Sequence, residues 1–469
     1  MLSIWPIIRW SRPRGLLDGA GRLSASGSEA MGSRCPGYAK PVRGDAAVMS
    51  RKDDHHAALP SRLAAGLWLA ALISGLHFFS LTFSRPIFPL LAADLGASEA
   101  LIGLLTSAAY LLPLFIALPA GALLGRFGVR HMAVFGSVCL VVGNGAYAVA
   151  QGFAVLAAAR VLTGLAQVIV LLAVQAYVAE LGRGSQQDRN FATIFFFAGV
   201  GQMAGPMLAG LLARELGMRF AFGAAAAFGL LPLLICWRLP GLAPAGHAPR
   251  ANRPIATAAG VRPAPPTGHH SGLRWEGIRH LLRTPGVRLG VGASLIMLLA
   301  EGARESFFPL YAASVGFDEV AVGALMSIHA LFSILVQPFA GVLAARIGRT
   351  RLLALAMLSG FGGHLAVPLV SGFVPLGLAV ALAGVAMGAN QPPSMACVAD
   401  AAPAELRGLA MALRLTGNRV ALLASPVLAG WVVTLWGLPA YFYTAAALLM
   451  TGSVVMSSLA GRGRIARSE

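Results

Sequence analysis

Apolar residues in this chain come in long unbroken runs, without the polar stripe that marks a surface helix. Twelve runs can be traced, at roughly 62–92, 100–124, 131–150, 153–178, 191–213, 219–238, 286–313, 319–344, 351–371, 373–398, 408–433 and 439–459. About 20 residues cross ~30 Å of hydrocarbon as a helix, and a helix satisfies its own backbone where no water can. The pattern predicts an all-α membrane protein of twelve transmembrane helices. Six spans precede a polar interruption at 239–285 and six follow it.

The halves repeat each other at an offset of 220 residues. Pro89, Leu90, Ala92, Ala93, Gly96, Glu99, Gly103 and Ser107 recur as Pro309, Leu310, Ala312, Ala313, Gly316, Glu319, Gly323 and Ser327. In the same register Gly121, Leu123, Arg126 and Gly128 recur as Gly341, Leu343, Arg346 and Gly348, Gly164 as Gly384, and Pro206, Leu208 and Gly210 as Pro426, Leu428 and Gly430. A duplication of this length implies two pseudo-symmetric six-helix bundles around a central cavity, with a solute site at the repeat interface.

Two segments break the pattern. Residues 1–60 are rich in Arg, Gly, Ser and Pro without helical periodicity, which predicts a disordered basic tail. Met49 opens a short charged leader (MSRKDDHHAALPSR), so translation is expected to be able to start there. The stretch 239–285 begins as a Pro/Gly/Ala linker and ends in GLRWEGIRHLLR, an amphipathic helix expected on the inner membrane surface with Trp275, Ile278, Leu281 and Leu282 toward lipid. The domains are therefore the tail at 1–60, an N-terminal bundle at 61–238, the linker at 239–285, a C-terminal bundle at 286–460 and a basic cytoplasmic tail at 461–469.

Composition agrees, with 57% hydrophobic residues against 12% charged. The net charge of +18 raises the question of nucleic acid, but its placement answers it. With the amino terminus inside, Arg126, Arg130, Arg183, Arg189, Arg346, Arg349, Arg351 and Arg407 fall in inner loops, with Arg462, Arg464 and Arg467 in the tail. Asp94, Glu99, Asp318 and Glu319 fall in outer loops. This positive-inside bias sets both termini in the cytoplasm and makes the lipid bilayer, rather than nucleic acid, the partner of the basic residues. The four cysteines (Cys35, Cys139, Cys236, Cys397) have no paired spacing and indicate neither a disulfide framework nor a metal site. No cofactor is expected.

After the second span comes GALLGRFGVRH (Gly121–His131) and after the eighth GVLAARIGRTR (Gly341–Arg351). Span four holds LAAARVLTG with Arg160, and span five GQMAGPMLAG with Gly205 and Pro206. These resemble, in order and topology across about 400 residues, the signatures of the major facilitator superfamily. The resemblance implies secondary active transport of a small-molecule solute by a monomer, and the span-five Gly-Pro motif is similar to that of the superfamily's antiporters. It implies conformational roles for Gly121, Arg126, Gly128, Gly341, Arg346, Gly348, Gly205 and Pro206. The usual acidic loop position is Gly125 in one copy and Ala345 in the other, so the family's inner charge relay does not carry over intact.

Ionisable residues at membrane depth are costly and mark functional candidates. Of the eighteen acids, Glu301 and Glu305 lie well inside a span, the seventh, and share a helix face with Arg304. The repeat register sets Arg85 of span one opposite Glu305, which predicts an ion pair across the bundle interface. Protonating Glu305 breaks such a pair and couples proton movement to gating. The competing reading is a permanently paired Arg304–Glu301/Glu305 cluster that merely tolerates burial. Cavity candidates are Arg160, Gln167, Gln175, Gln202, His329, Gln337, Asn390, Gln391, Arg414 and Asn418, for which interhelical hydrogen bonding is the alternative. Phe78, Phe79, Phe83 and Phe195–Phe197 are candidates to stack on a planar solute, or to pack.

An enzyme is not expected: the chain has no HExxH and no GxxxxGK[ST] phosphate loop. The missing nucleotide loop leaves an ion gradient as the energy source. Proton-coupled export of a small organic compound is the favoured expectation, with proton symport of an organic anion as the alternative and a non-transporting membrane sensor below both. Few lysines among many arginines fit a GC-rich bacterium and its inner membrane.

Overall fold

The computed structural model describes residues 61–181, 185–239, 271–403 and 405–465. The expected N-terminal tail with Met49, the 240–270 part of the linker, Arg183 and Arg467 lie outside these residues. Among those described, twelve helices are long and apolar enough to cross a membrane. They are Ala65–Asp94, Glu99–Ile116, Arg126–Val149, Phe153–Glu180, Arg189–Leu216, Met218–Arg238, Pro285–Ser314, Glu319–Ile347, Arg349–Leu369, Phe373–Ala401, Arg407–Trp436 and Leu438–Ser458, called spans 1 to 12 below. The final helix continues to Ile465, into the stretch expected as tail.

Local chemistry repeats with the sequence. Span 2 opens on Ser98, whose hydroxyl accepts from the Leu101 N–H at 3.4 Å, and span 8 on Asp318, whose carboxylate accepts from the Ala321 N–H at 2.8 Å. Both side chains satisfy an N–H that the first helical turn leaves without a partner. The turns after spans 2 and 8 rest on Gly128 (φ 78°) and Gly348 (φ 90°), 220 positions apart. Each lies in backbone space that a side chain makes costly, so the loop signature has a conformational reason for its second glycine.

Span 7 departs from the regular pattern. Its helix stops at Glu301, turns through Gly302 and Ala303, and restarts at Arg304. Gly302 is pressed against Ser425 of span 11, where an added Cβ would stand 2.9 Å from the serine Cβ.

Close packing within and between bundles also follows the repeat. A Cβ on Gly164 would collide with the Ala109 carbonyl, and one on Gly384 with the carbonyl of His329, so spans 2 and 4 meet as spans 8 and 10 do. Across the bundle interface Gly103 lies against the Pro426 carbonyl and Gly323 against that of Pro206. Gly210 abuts the Glu319 carbonyl and Gly430 the Glu99 carbonyl. Spans 2 and 11, and spans 5 and 8, therefore touch backbone to backbone at the end that carries Glu99 and Glu319. Small residues make this approach possible, which is the usual device of helix packing in lipid.

The helix Ser271–Arg283 corrects one expectation. Leu281, expected toward lipid, is buried among Val287, Val398, Ala402, Ala410 and Met411. Gly277 sits against Leu406 and Leu409. The helix packs on the C-terminal bundle beneath spans 7, 10 and 11, with Leu282 left exposed. Apolar side chains of the bundle end offer it a drier surface than the headgroup region.

Candidate functional site

The break in span 7 separates two acids that a continuous helix would hold on one face. Glu305, just past the break, points at the N-terminal bundle. Its Oε1 lies 2.5 Å from Nη1 of Arg85 in span 1, with side-chain exposures of 14% and 20%. The interface ion pair expected from the register is present. Both residues line a small polar cleft, with Leu81, Ala109, Tyr110, Arg160, Thr163, Gly164 and Gln167. Three spans of the N-terminal bundle and one of the C-terminal bundle thus meet around one charge pair.

Glu301, just before the break, turns into its own bundle. Its Oε2 accepts from Arg304 Nε at 3.1 Å and lies 3.3 Å from His329 Nε2 in span 8. Its Oε1 lies 3.9 Å from His364 Nε2 in span 9. Tyr441 of span 12 closes the group, its hydroxyl donating to the Ala300 carbonyl at 2.8 Å. The competing reading of one Arg304–Glu301/Glu305 cluster fits Glu301 alone: Arg304 serves Glu301, and Glu305 faces the other bundle. His329 is corrected likewise, from cavity lining to a buried partner of Glu301.

The same crossing in the N-terminal bundle is neutral. Asn144, the register mate of His364, donates to the Ser80 carbonyl at 3.2 Å and hydroxyl at 3.0 Å, and Ser80 donates to the Ala225 carbonyl at 2.8 Å. Charge at this crossing is a feature of the second bundle only.

Of the other cavity candidates, Arg160 and Gln167 line the cleft. Arg414 is buried instead, its Nη2 donating to Gln391 Oε1 at 2.9 Å and Ser394 Oγ at 3.0 Å. Asn418 accepts from Ser294 Oγ at 2.6 Å, and Asn390 donates to the Ala293 carbonyl at 3.4 Å. These three, with Gln391, tie spans 7, 10 and 11 together by interhelical hydrogen bonds. Gln175 and Gln202 are half-buried and Gln337 is exposed, none of them on the cleft. Phe79 and Phe83 pack on Phe228 in the N-terminal core, Phe197 packs on Trp68, and Phe195 and Phe196 are exposed. Gly121 lies in the helical stretch that ends at the Gly128 turn, and Arg126 and Arg346 are exposed beside the glycine turns. Pro206 stands within the span 5 helix, and Gly205 abuts the Phe79 carbonyl, 2.7 Å from where its Cβ would sit.

Sequence reasoning missed Tyr110 and His364. Nothing in the run around Tyr110 sets it apart. His364 had a signal: the register pairs it with Asn144, so both copies carry a polar group at one point of an apolar span.

The profile of the Major Facilitator Superfamily matches residues 70–373 and 290–464. The chain belongs to this superfamily. Among curated superfamily relatives, the Quinolone resistance protein NorA of Staphylococcus aureus is 28% identical over 160 residues, 34% of this chain and 41% of that protein. The Multidrug resistance protein MdtG of Proteus mirabilis (strain HI4320) is 33% identical over 171 residues, 34% of this chain and 39% of that protein. Both alignments span about two fifths of the relative's length. The superfamily fold extends further: the nucleoside transporter NupG aligns over 84% of this chain and 98% of its own, with TM-score 0.67 at 13% identity. A peptide transporter solved in complex with sulfate aligns over 85% and 94%, with TM-score 0.62 at 18% identity. The chain is a superfamily member whose twelve apolar helices are long enough to cross a lipid bilayer.

Proposed function

We propose that the protein is a proton-coupled exporter of a small organic compound, working by alternating access, with Glu305 as the coupling acid and Arg85 as its counter-ion. The observation that carries this reading is the Arg85–Glu305 pair. It joins the two bundles at the wall of a polar cleft, so its making and breaking acts on the interface that must open. A protonated Glu305 no longer holds Arg85, and the bundles lose the ionic contact between them. Deprotonation restores it. A ligand or proton shifts a two-state equilibrium only through such a difference between states.

The direction of transport rests on the resistance proteins among the relatives and on the Gly-Pro motif of span 5. With the basic loops inside, the glycine-packed end bearing Glu99 and Glu319 is the outer one. The membrane is the bacterial inner membrane, with both termini cytoplasmic and the monomer as the working unit.

Inverted vesicles with an acid interior and a pH-sensitive dye test the reading. Compounds from a panel of drugs, organic acids and amino acids should evoke proton release in wild type and none in Glu305→Gln. Equal release in both removes Glu305 from the coupling step. Symport of an organic anion is the second reading, favoured by the arginines of the cleft, and would appear as solute uptake by whole cells under an inward proton gradient.

A further inference from the structure

The cleft holds three charged side chains, Arg85, Arg160 and Glu305. Arg85 and Glu305 neutralise each other, which leaves Arg160 as the cleft's cation without a counter-ion among the described residues. Arg160 is 5% exposed, and among the described residues no acceptor reaches its Nε or its Nη2. Its guanidinium is held from one side by Phe88 of span 1, with Cζ 3.9 Å from the ring centroid. A stacked guanidinium keeps its N–H edge free in the ring plane. It cannot escape by deprotonation, and a buried cation with unmet donors is costly unless something anionic answers it. Arg414, the other arginine as deeply buried, differs in degree: Gln391 and Ser394 accept from its Nη2, and its Nε alone is left without a partner among the described residues.

We infer that Arg160 is the recognition group for a carboxylate on the transported compound. Nε and Nη2 lie on one edge of the guanidinium, and two parallel N–H donors match the two oxygens of a carboxylate. Gln167 is two helical turns along on the same face of span 4, and Tyr110 is across the cleft. Their amide and hydroxyl are the further polar groups available to the substrate. Thr163 is not: its hydroxyl already donates to the Ala159 and Arg160 carbonyls and contacts Tyr147. The substrate class is therefore an organic acid or a zwitterion, whose carboxylate is held at Arg160. This inference names the substrate class of the site proposed above and rests on that site being the transport cleft.

The test is thermal unfolding of the purified full-length protein in micelles with benzoate, 1-naphthoate or hexanoate, each compared with its own amide. The expected result is an upward shift in Tm for at least one carboxylate, at a concentration at least tenfold below that at which its amide acts. Arg160→Gln should abolish the preference and Arg160→Lys should keep part of it. Should Arg160→Gln fail to fold, the paired Tyr110→Phe and Gln167→Leu variant should weaken carboxylate binding severalfold. Equal shifts by acid and amide in all three pairs, or a preference that survives Arg160→Gln, overturns the assignment. No proton gradient enters this assay, so its failure leaves the Glu305 coupling reading standing, and a failure of coupling leaves the carboxylate preference intact.

Discussion

Gly103 and Gly323 stand 220 positions apart and make the same contact: each presses its bare Cα face against a proline carbonyl of the other bundle, Pro426 and Pro206, themselves 220 apart. The closed end of the transporter is thus two copies of one joint. The joint exists only while that end is shut, so bulk added there penalises one state and spares the other.

Gly103→Ala and Gly323→Ala should each bias the protein toward opening at that end. Overpacking costs about 1–3 kcal/mol, enough to shift a two-state population by roughly 5–150-fold. Labelling of a single cysteine at Ser107, buried near the joint, reports it in a background without the native cysteines. Faster labelling from the Glu99 side in both variants is expected. Unchanged labelling means the joint does not set the equilibrium.

Arg85 and Glu305 should be interchangeable as a structural pair and not as a coupling pair. Arg85→Glu or Glu305→Arg alone places like charges face to face and should lower thermal stability. The double reversal should recover most of it, because the ion pair is rebuilt. Proton-driven transport should stay lost in the double reversal, since the acid then sits on the other bundle. Recovery of transport along with stability would show that only the attraction matters.

Glu301 answers to Arg304, His329 and His364 within one bundle, which makes it a fastening of the span 7 break. Glu301→Gln should destabilise the protein by about 3–5 kcal/mol, as expected when one member of a buried charged group is neutralised. Glu305→Gln should cost less, its pair being partly exposed. Melting curves of the two variants give the comparison, and the reverse order contradicts the division of labour.

Much of this arrangement was legible in the sequence. The apolar runs located the spans, and the 220-residue register placed Arg85 opposite Glu305. The register also carried the glycines that pack the closed end. What it could not show was the break at Gly302–Ala303, because these two small residues after Glu301 are compatible with an unbroken helix. Once the helix breaks, face counting fails, and Glu301 and Glu305 part company. Side chains such as His329 and Arg414 were misplaced for a related reason. Polarity in a span says that a partner is needed, not whether the partner is a neighbouring helix or a solute.

The helix Ser271–Arg283 was read as lipid-facing, and its packing offers a test. Leu281→Ala should cost about 2–5 kcal/mol locally, as for a buried leucine. Leu282→Ala, at an exposed position, should cost little. Limited proteolysis within the 239–285 linker distinguishes them: faster cleavage is expected for the first and not the second. Equal sensitivity would return the helix to the membrane surface.

The central claim is that Glu305 couples protons to solute movement across the Arg85 contact. Proteoliposomes test it most directly, with a solute identified from the dye panel and measured in two modes. Wild type should accumulate solute against its gradient when a proton gradient is imposed, and should also exchange solute for solute. Glu305→Gln should continue exchange, which moves no net proton, and lose gradient-driven accumulation. Accumulation by Glu305→Gln at the wild-type level would contradict the account.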